Sequence, residues 1–231
     1  MLFLPGDLGN PRDATYEAFL ASCAKRYGTV FLVLGNHEFY GSSIKCTVDG
    51  VREICARHHN VILLHNETHD IPGTGIRIAG TTLWSRVDEA QKDAVECFIA
   101  DYRRIEDWYV ERNNAMHLEC VQWLVREAER ARVDGVRLVV MTHHAPYTKS
   151  GHPRHWGLPL SSAFETDLTW LIHANPHILA WMHGHTHYSG VRTICKTMVI
   201  SNQYGFPWER ALGKEHDAFN PAMEIAGLWE G

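Results

Sequence analysis

The sequence predicts an α/β fold, and three observations carry that prediction. Short, mostly apolar runs recur at Val30–Leu34, Val136–Met141 and Ile178–Met182, as in parallel strands buried on both faces. Stretches with apolar residues at helical spacing, such as Ala14 to Tyr27 and Ala115 to Ala131, alternate with them. Each apolar run ends in a polar cluster: Gly35-Asn36-His37-Glu38, Thr142-His143-His144 and Gly184-His185-Thr186-His187. At 231 residues the chain reads as one domain spanning 1–231, long enough for a sizeable core.

The elements follow in order. Leu2-Phe3-Leu4 runs into Pro5-Gly6-Asp7, a short strand that delivers Asp7 to a loop. Tyr16, Phe19, Leu20, Cys23, Ala24 and Tyr27 form one stripe of a helix that Gly28 ends. Ile44 to His58 is a second helix, and Val61 to Leu64 a further strand. Ile76–Ala79 and Thr81–Trp84, punctuated by Gly73, Gly75 and Gly80, read as antiparallel strands. Asp88 to Tyr109 is polar and aromatic with weak periodicity, and reads as an excursion over the site. Tyr147 to Pro159 is a loop. Ser161 or Ser162 can cap a helix through Ala174, with Glu165 as the capping-box partner of Ser162. Val191–Ile194, Met198–Ile200 and Met223–Ala226 complete the strands.

Composition narrows the class. Hydrophobic residues make up 45% and charged residues 21%, a globular balance. A net charge of −5 and a pI near 6.3 speak against a nucleic-acid partner. No apolar run approaches the ~18 residues of a membrane span, and the N-terminus does not read as a signal peptide. The 6 cysteines form no CxxC pair and read as reduced thiols. A soluble cytoplasmic protein is expected, with a homo-oligomer open to it through an edge near Leu2.

Histidine, at 16 copies, is the outlier, and its clusters carry the chemistry. Four strand ends each deliver a hard or borderline ligand: Asp7, Asn36, His143, and His185 with His187. Imidazole suits zinc, iron, manganese and nickel, and carboxylate and amide oxygens add hard character. A carboxylate can bridge two metals, and two metals can clamp a phosphoryl group and generate hydroxide at neutral pH. His144, Trp84 and Arg103 are candidates for lining the substrate pocket, Arg103 as a bidentate phosphate ligand. Tyr40, His152, His155, Tyr204 and Trp208 follow them. His183 reads as a structural or supporting residue.

On Gly6-Asp7, Gly35-Asn36-His37-Glu38, Thr142-His143 and Gly184-His185-x-His187, the chain resembles the calcineurin-like metallophosphoesterase family. Thr82-Leu83-Trp84, Asp101-Tyr102-Arg103 and Thr142-His143-His144-Ala145-Pro146 are similar to a bacterial-like branch of it. The resemblance implies a two-sheet α/β sandwich with a dimetal site at one edge. It implies hydrolysis of a phosphomonoester or phosphodiester by a metal-activated hydroxide. Asp7 would bridge the metals. Asn36, His143 and His185 would hold the second metal, and His187 the first. His37 would serve the leaving-group oxygen, with Asn36 also meeting charge on the phosphoryl group. The cofactors would be up to two divalent ions among Mn, Fe, Zn and Ni.

Two departures qualify the expectation. The family's Asp-x-His has no counterpart ahead of Gly6-Asp7. A missing N-terminal strand is therefore expected, with the second-metal site complete and the first incomplete. Some members also carry a carboxylate three residues after the Gly-Asp aspartate. Here that position is Asn10, which can hydrogen-bond His37 but cannot raise its basicity through charge. The alternative function is a scaffold or binding protein of the same fold with reduced catalysis.

Overall fold

Two sheets face each other, with helices on their outer sides, in a computed structural model that describes residues 1–206 and 219–225. The first sheet holds three parallel strands, β1 (Leu2–Leu4), β2 (Val30–Leu32) and β3 (Val61–Leu63), in that order. The second holds β4 (Glu67–Ile71), β5 (Ile76–Thr81), β6 (Arg137–Thr142), β7 (Ile178–His183), β8 (Gly190–Ile194) and β9 (Thr197–Ser201). Its order is β4-β5-β6-β7-β9-β8. β5, β6, β7 and β9 run parallel, and β4 and β8 pair antiparallel at the edges. The helices are α1 (Ala14–Arg26), α2 (Ile44–Ala56), α3 (Lys92–Phe98), α4 (Asp101–Arg104), α5 (Val110–Asp134) and α6 (Thr169–Ala174). The expected two-sheet α/β sandwich is the fold observed.

The apolar runs are continuous because both faces of their strands are buried. Phe31 and Val33 enter the layer between the sheets, with Ile78, Val139, Met141, Ala180 and Met182. Val30, Leu32 and Leu34 alternate with them and join the helix-covered core of Leu20, Val51, Leu138, Val140 and Trp181. At Gly80 the sheets come so close that a Cβ would strike Leu64 and lie 2.9 Å from Val33 Cγ1. A side chain there would wedge the layers apart.

Four local readings are corrected. Thr81–Trp84 is not a separate strand: β5 runs through Thr81, and Leu83 and Trp84 then turn with φ of 71° and 47°. The antiparallel partner of β5 is β4, whose sequence Glu-Thr-His-Asp-Ile carries almost no apolar signal. The capping box at Ser162 does not form. Glu165 instead accepts hydrogen bonds from the Lys149 and Ser150 amides at 2.7 and 2.8 Å. α6 starts only where Asp167 Oδ1 accepts from the Thr169 amide at 2.9 Å. α5 begins already at Val110, and the Asp88–Tyr109 excursion contains α3 and α4. Met223–Ile225 is not a strand. Ala226 and Trp208 lie outside the described residues. No helix among the described residues is long and apolar enough to cross a membrane.

Candidate metal centre

The polar clusters meet because they follow parallel strands at one end of the sandwich. Asp7 follows β1, Asn36 and His37 follow β2, His143 follows β6, and His185 and His187 follow β7. Asp7, His185 and His187 adopt left-handed backbone, with φ of 59°, 69° and 50°. Such a conformation costs a non-glycine residue about 1 kcal/mol or more, so the surroundings must hold it.

His143 Nε2 is the hub. Asn36 Oδ1 lies 3.0 Å from it, His185 Nδ1 3.1 Å and Asp7 Oδ2 3.4 Å. His143 Nδ1 is 2.7 Å from the Pro5 carbonyl and so donates to it, leaving the Nε2 lone pair facing the other three atoms. The Asn36 NH₂ is committed elsewhere, donating to Asp101 Oδ1 at 2.8 Å. Asn36 and Asp7 therefore both turn acceptor oxygens toward Nε2, and His185 turns a ring nitrogen whose role depends on its tautomer. Atoms bound to a common ion at ~2.0–2.1 Å stand ~3.0–3.4 Å apart, and the three distances to His143 Nε2 fall in that range. The residues fit a divalent cation.

The electrostatics agree. Burial alone would depress His143, but the adjoining Asp7 carboxylate overrides it and holds the imidazole above its usual range. Burial likewise opposes ionisation of Asp7, and His143 and His37 overcome it and hold the carboxyl low. The spot favours positive charge, as a proton on Nε2 or as a metal ion. Burial, with His144 and His143 nearby, pushes His185 well below the usual imidazole range, so its imidazole is neutral.

Two buried carboxylates hold the candidate ligands, and neither was evident in the sequence. Glu38 turns away from His37. Its Oε2 accepts from the Asp7 and Gly35 amides, both at 2.9 Å, and its Oε1 from the Leu8 amide at 2.7 Å. It thereby ties the loop after β1 to the loop after β2. Burial, and then the Asp7 charge, push its carboxyl up to about 7. Asp101, at the start of α4, binds the Asn36 amide and also accepts from the Tyr40 hydroxyl at 2.6 Å. The Asp-Tyr-Arg segment was its only sequence signal.

His37 stands at the open side of the centre. Its side chain is 33% exposed, and its Nε2 lies 4.0 Å from Asp7 Oδ2. Its ring stacks on Tyr40 at 4.6 Å, and its amide donates to Asp7 Oδ1 at 3.0 Å. His187 and His37 both pack against Phe206, with ring centroids 4.6 and 5.6 Å away. The His187 amide donates to Gln203 Oε1 at 2.7 Å. His183 is buried, with Nδ1 3.1 Å from the Gly184 carbonyl.

The pocket-lining expectations change. His144 is buried and stacks on His185 at 3.9 Å, with Nδ1 against Ser85 Oγ at 2.9 Å. Its Nε2 is buried without a partner, and with His143 and His185 it presents ligand atoms within 4.8 Å of one another. Trp84 is 1% exposed, packed against Trp108, His144 and Phe39, and belongs to the core. Arg103 donates to the Cys97 carbonyl and does not face the centre. Arg104 lies 4.3 Å over the ring of Tyr40, the stacking partner of His37. Asn10 Oδ1 accepts from the Arg12 amide at 3.0 Å rather than contacting His37. His152 and His155 pack edge-on to each other at 6.3 Å, and Tyr204 is exposed.

With this geometry in view, the class is clear: a model of the calcineurin-like phosphoesterase family matches residues 1–189, and the chain belongs to that family. Its members are dimetal enzymes that hydrolyse phosphoesters. Among individual proteins, the chain is similar to an uncharacterised protein, L509, of Acanthamoeba polyphaga mimivirus. The two are 28% identical over 244 residues, covering 97% of this chain and 82% of the relative. The phosphopantetheinyl hydrolase of Mycobacterium tuberculosis shares the fold with a TM-score of 0.68 and 17% identity, over 92% of this chain and 82% of that one. A dimetal phosphatase from Danio rerio shares it with a TM-score of 0.52 and 16% identity, over 87% and 71% of the two chains.

Proposed function

We propose that this chain is a metal-dependent phosphoesterase acting on a phosphomonoester or phosphodiester. The observation that carries the reading is the convergence of Asp7 Oδ2, Asn36 Oδ1 and His185 Nδ1 on His143 Nε2 within 3.4 Å. Asp7, Asn36, His143 and His185 would hold one divalent ion, and Asp7 with His187 would contribute to a second. Such ions supply Lewis-acid charge to phosphoryl oxygens and lower the pKa of bound water.

The chain's own residues account for the remaining steps. Glu38 fixes the loops that carry Asp7 and Asn36, so the ligands need no rearrangement when substrate arrives. His37, the partly exposed imidazole, is placed to give a proton from Nε2 to the leaving-group oxygen. Tyr40 stacks on that ring and limits its rotation. Buried His144 backs His185 and excludes water from behind it.

The test pairs metal analysis with hydrolysis of aryl phosphomonoester and phosphodiester substrates in added manganese. Bound metal and turnover support the enzyme. Bound metal without turnover on either substrate would favour the scaffold alternative, and neither metal nor turnover would sink the reading.

A further inference from the structure

We infer that Asp101 is the positioning residue that decides which end of the Asn36 amide faces the metal centre. The inference rests on the metal-centre reading above. The two ends of an asparagine amide have nearly the same shape, and only hydrogen bonding tells them apart. Here the choice is consequential. The atom of Asn36 that faces His143 Nε2 stands 3.0 Å away, an ordinary hydrogen-bond distance. Were the amide turned over, its NH₂ would donate to Nε2 and occupy the lone pair that a metal needs. Without restraint, the bare site would close on itself through one hydrogen bond.

Asp101 supplies that restraint. Its carboxylate is 6% exposed, and Oδ1 receives the Asn36 NH₂ at 2.8 Å. A carboxylate only accepts, so it selects the NH₂ end without ambiguity. The Tyr40 hydroxyl donates to the same oxygen at 2.6 Å and sits 3.3 Å from the Asn36 Nδ2. The carboxylate is itself held in place. α4 is docked on the loop that carries His37: the Gly41 amide donates to the Arg104 carbonyl at 2.5 Å, and the Glu106 amide to the Ser42 carbonyl at 3.0 Å. The excursion between β5 and α5 thus reaches Asn36 through the Asp101 side chain.

The experiment uses the full chain stripped of metal, titrated with manganese by calorimetry, with folding followed by circular dichroism. Asp101→Asn keeps the shape but offers both a donor and an acceptor, and should raise the manganese Kd about 10–100-fold. The exchange Asn36→Asp with Asp101→Asn restores the pairing. The new carboxylate would ligate through one oxygen and accept from the new amide through the other, while Tyr40 still donates. That double variant should bind manganese within about threefold of wild type, and Asn36→Asp alone should bind more weakly than the exchange. A merely structural role for Asp101 would not be rescued by the exchange. Asp101→Asn binding within twofold of wild type would overturn the inference. So would an exchange no tighter than Asp101→Asn, or Asn36→Asp alone matching the exchange. A wild-type chain that takes up no manganese would instead overturn the metal-centre reading. In that case solvent exchange of the Asn36 side-chain NH₂, read by NMR, decides the amide question: faster exchange in Asp101→Asn supports pinning, and equal exchange refutes it.

Discussion

Exchanging Gly35 for alanine places a methyl group in the most crowded part of the centre. The new Cβ would meet Asp7 Oδ1, lie 2.6 Å from His143 Cε1 and lie 2.7 Å from the Asp7 nitrogen. Carbon contacts are comfortable at ~3.5–4.0 Å, so these neighbours must retreat by about 1 Å. None is the loose end of a flexible chain. His143 is held by the Pro5 carbonyl at 2.7 Å, and Asp7 Oδ1 by the His37 amide at 3.0 Å. Overpacking of this kind costs about 1–3 kcal/mol. The displaced atoms belong to the proposed ligands, so a similar loss should fall on metal binding, about 5–150-fold in Kd. Gly50→Ala is the matched control. Gly50 lies in α2, and a Cβ there meets nothing within 4 Å, so alanine should stabilise the chain by about 0.5–1 kcal/mol. Urea midpoints and manganese titration read both effects. If Gly35→Ala kept the wild-type midpoint and bound manganese within twofold, the close approach at Gly35 would not set the ligand geometry, and the reasoning would fail.

Other outcomes follow from the same contacts. His37→Ala should lower kcat about 10²–10⁴-fold while the manganese Kd stays within about twofold, because the imidazole stands beside the ligands rather than among them; calorimetry and aryl-ester kinetics separate the two. Glu38→Ala strands the buried amide of Gly35 and the part-buried amides of Asp7 and Leu8, and at about 1–3 kcal/mol for the buried one the urea midpoint should fall by the equivalent of about 1–3 kcal/mol. Arg103→Ala should leave kcat/KM within about twofold, since its guanidinium is turned to the Cys97 carbonyl; a tenfold rise in KM would restore it as a phosphate ligand. Removing metal with a chelator from a sample held at 100 times Kd should remove about 2.7 kcal/mol. Scanning calorimetry should then show a Tm about 5–11 °C lower.

How far the sequence was legible depends on what each residue is paired with. Val30–Leu34 and Ile178–Met182 announce themselves because strands covered on both faces need no polar residues. The turns after them stand out because Asn and His are costly in such places without a purpose. β4 was missed because an edge strand faces solvent and can be built from Glu67, Thr68, His69 and Asp70. Trp84 was misread as a pocket wall because an aromatic residue beside a motif looks the same whether the chain turns it in or out. Asp101 and Glu38 were hidden for a different reason. Their roles lie in hydrogen bonds to atoms brought near only by folding: Asp101 to Asn36 on another loop, and Glu38 to backbone amides that carry no sequence signal.

The left-handed backbone at Asp7, His185 and His187 sets a boundary on how this chain can be improved. Glycine adopts that region at least cost, and asparagine tolerates it better than most. A selection for heat resistance would therefore reward Gly or Asn at those positions, and each reward would delete a candidate ligand. Variants enriched by such a selection should map onto the centre itself. Clustering of gain-in-stability substitutions at Asp7, His185 and His187 would outline the site even before its substrate is identified.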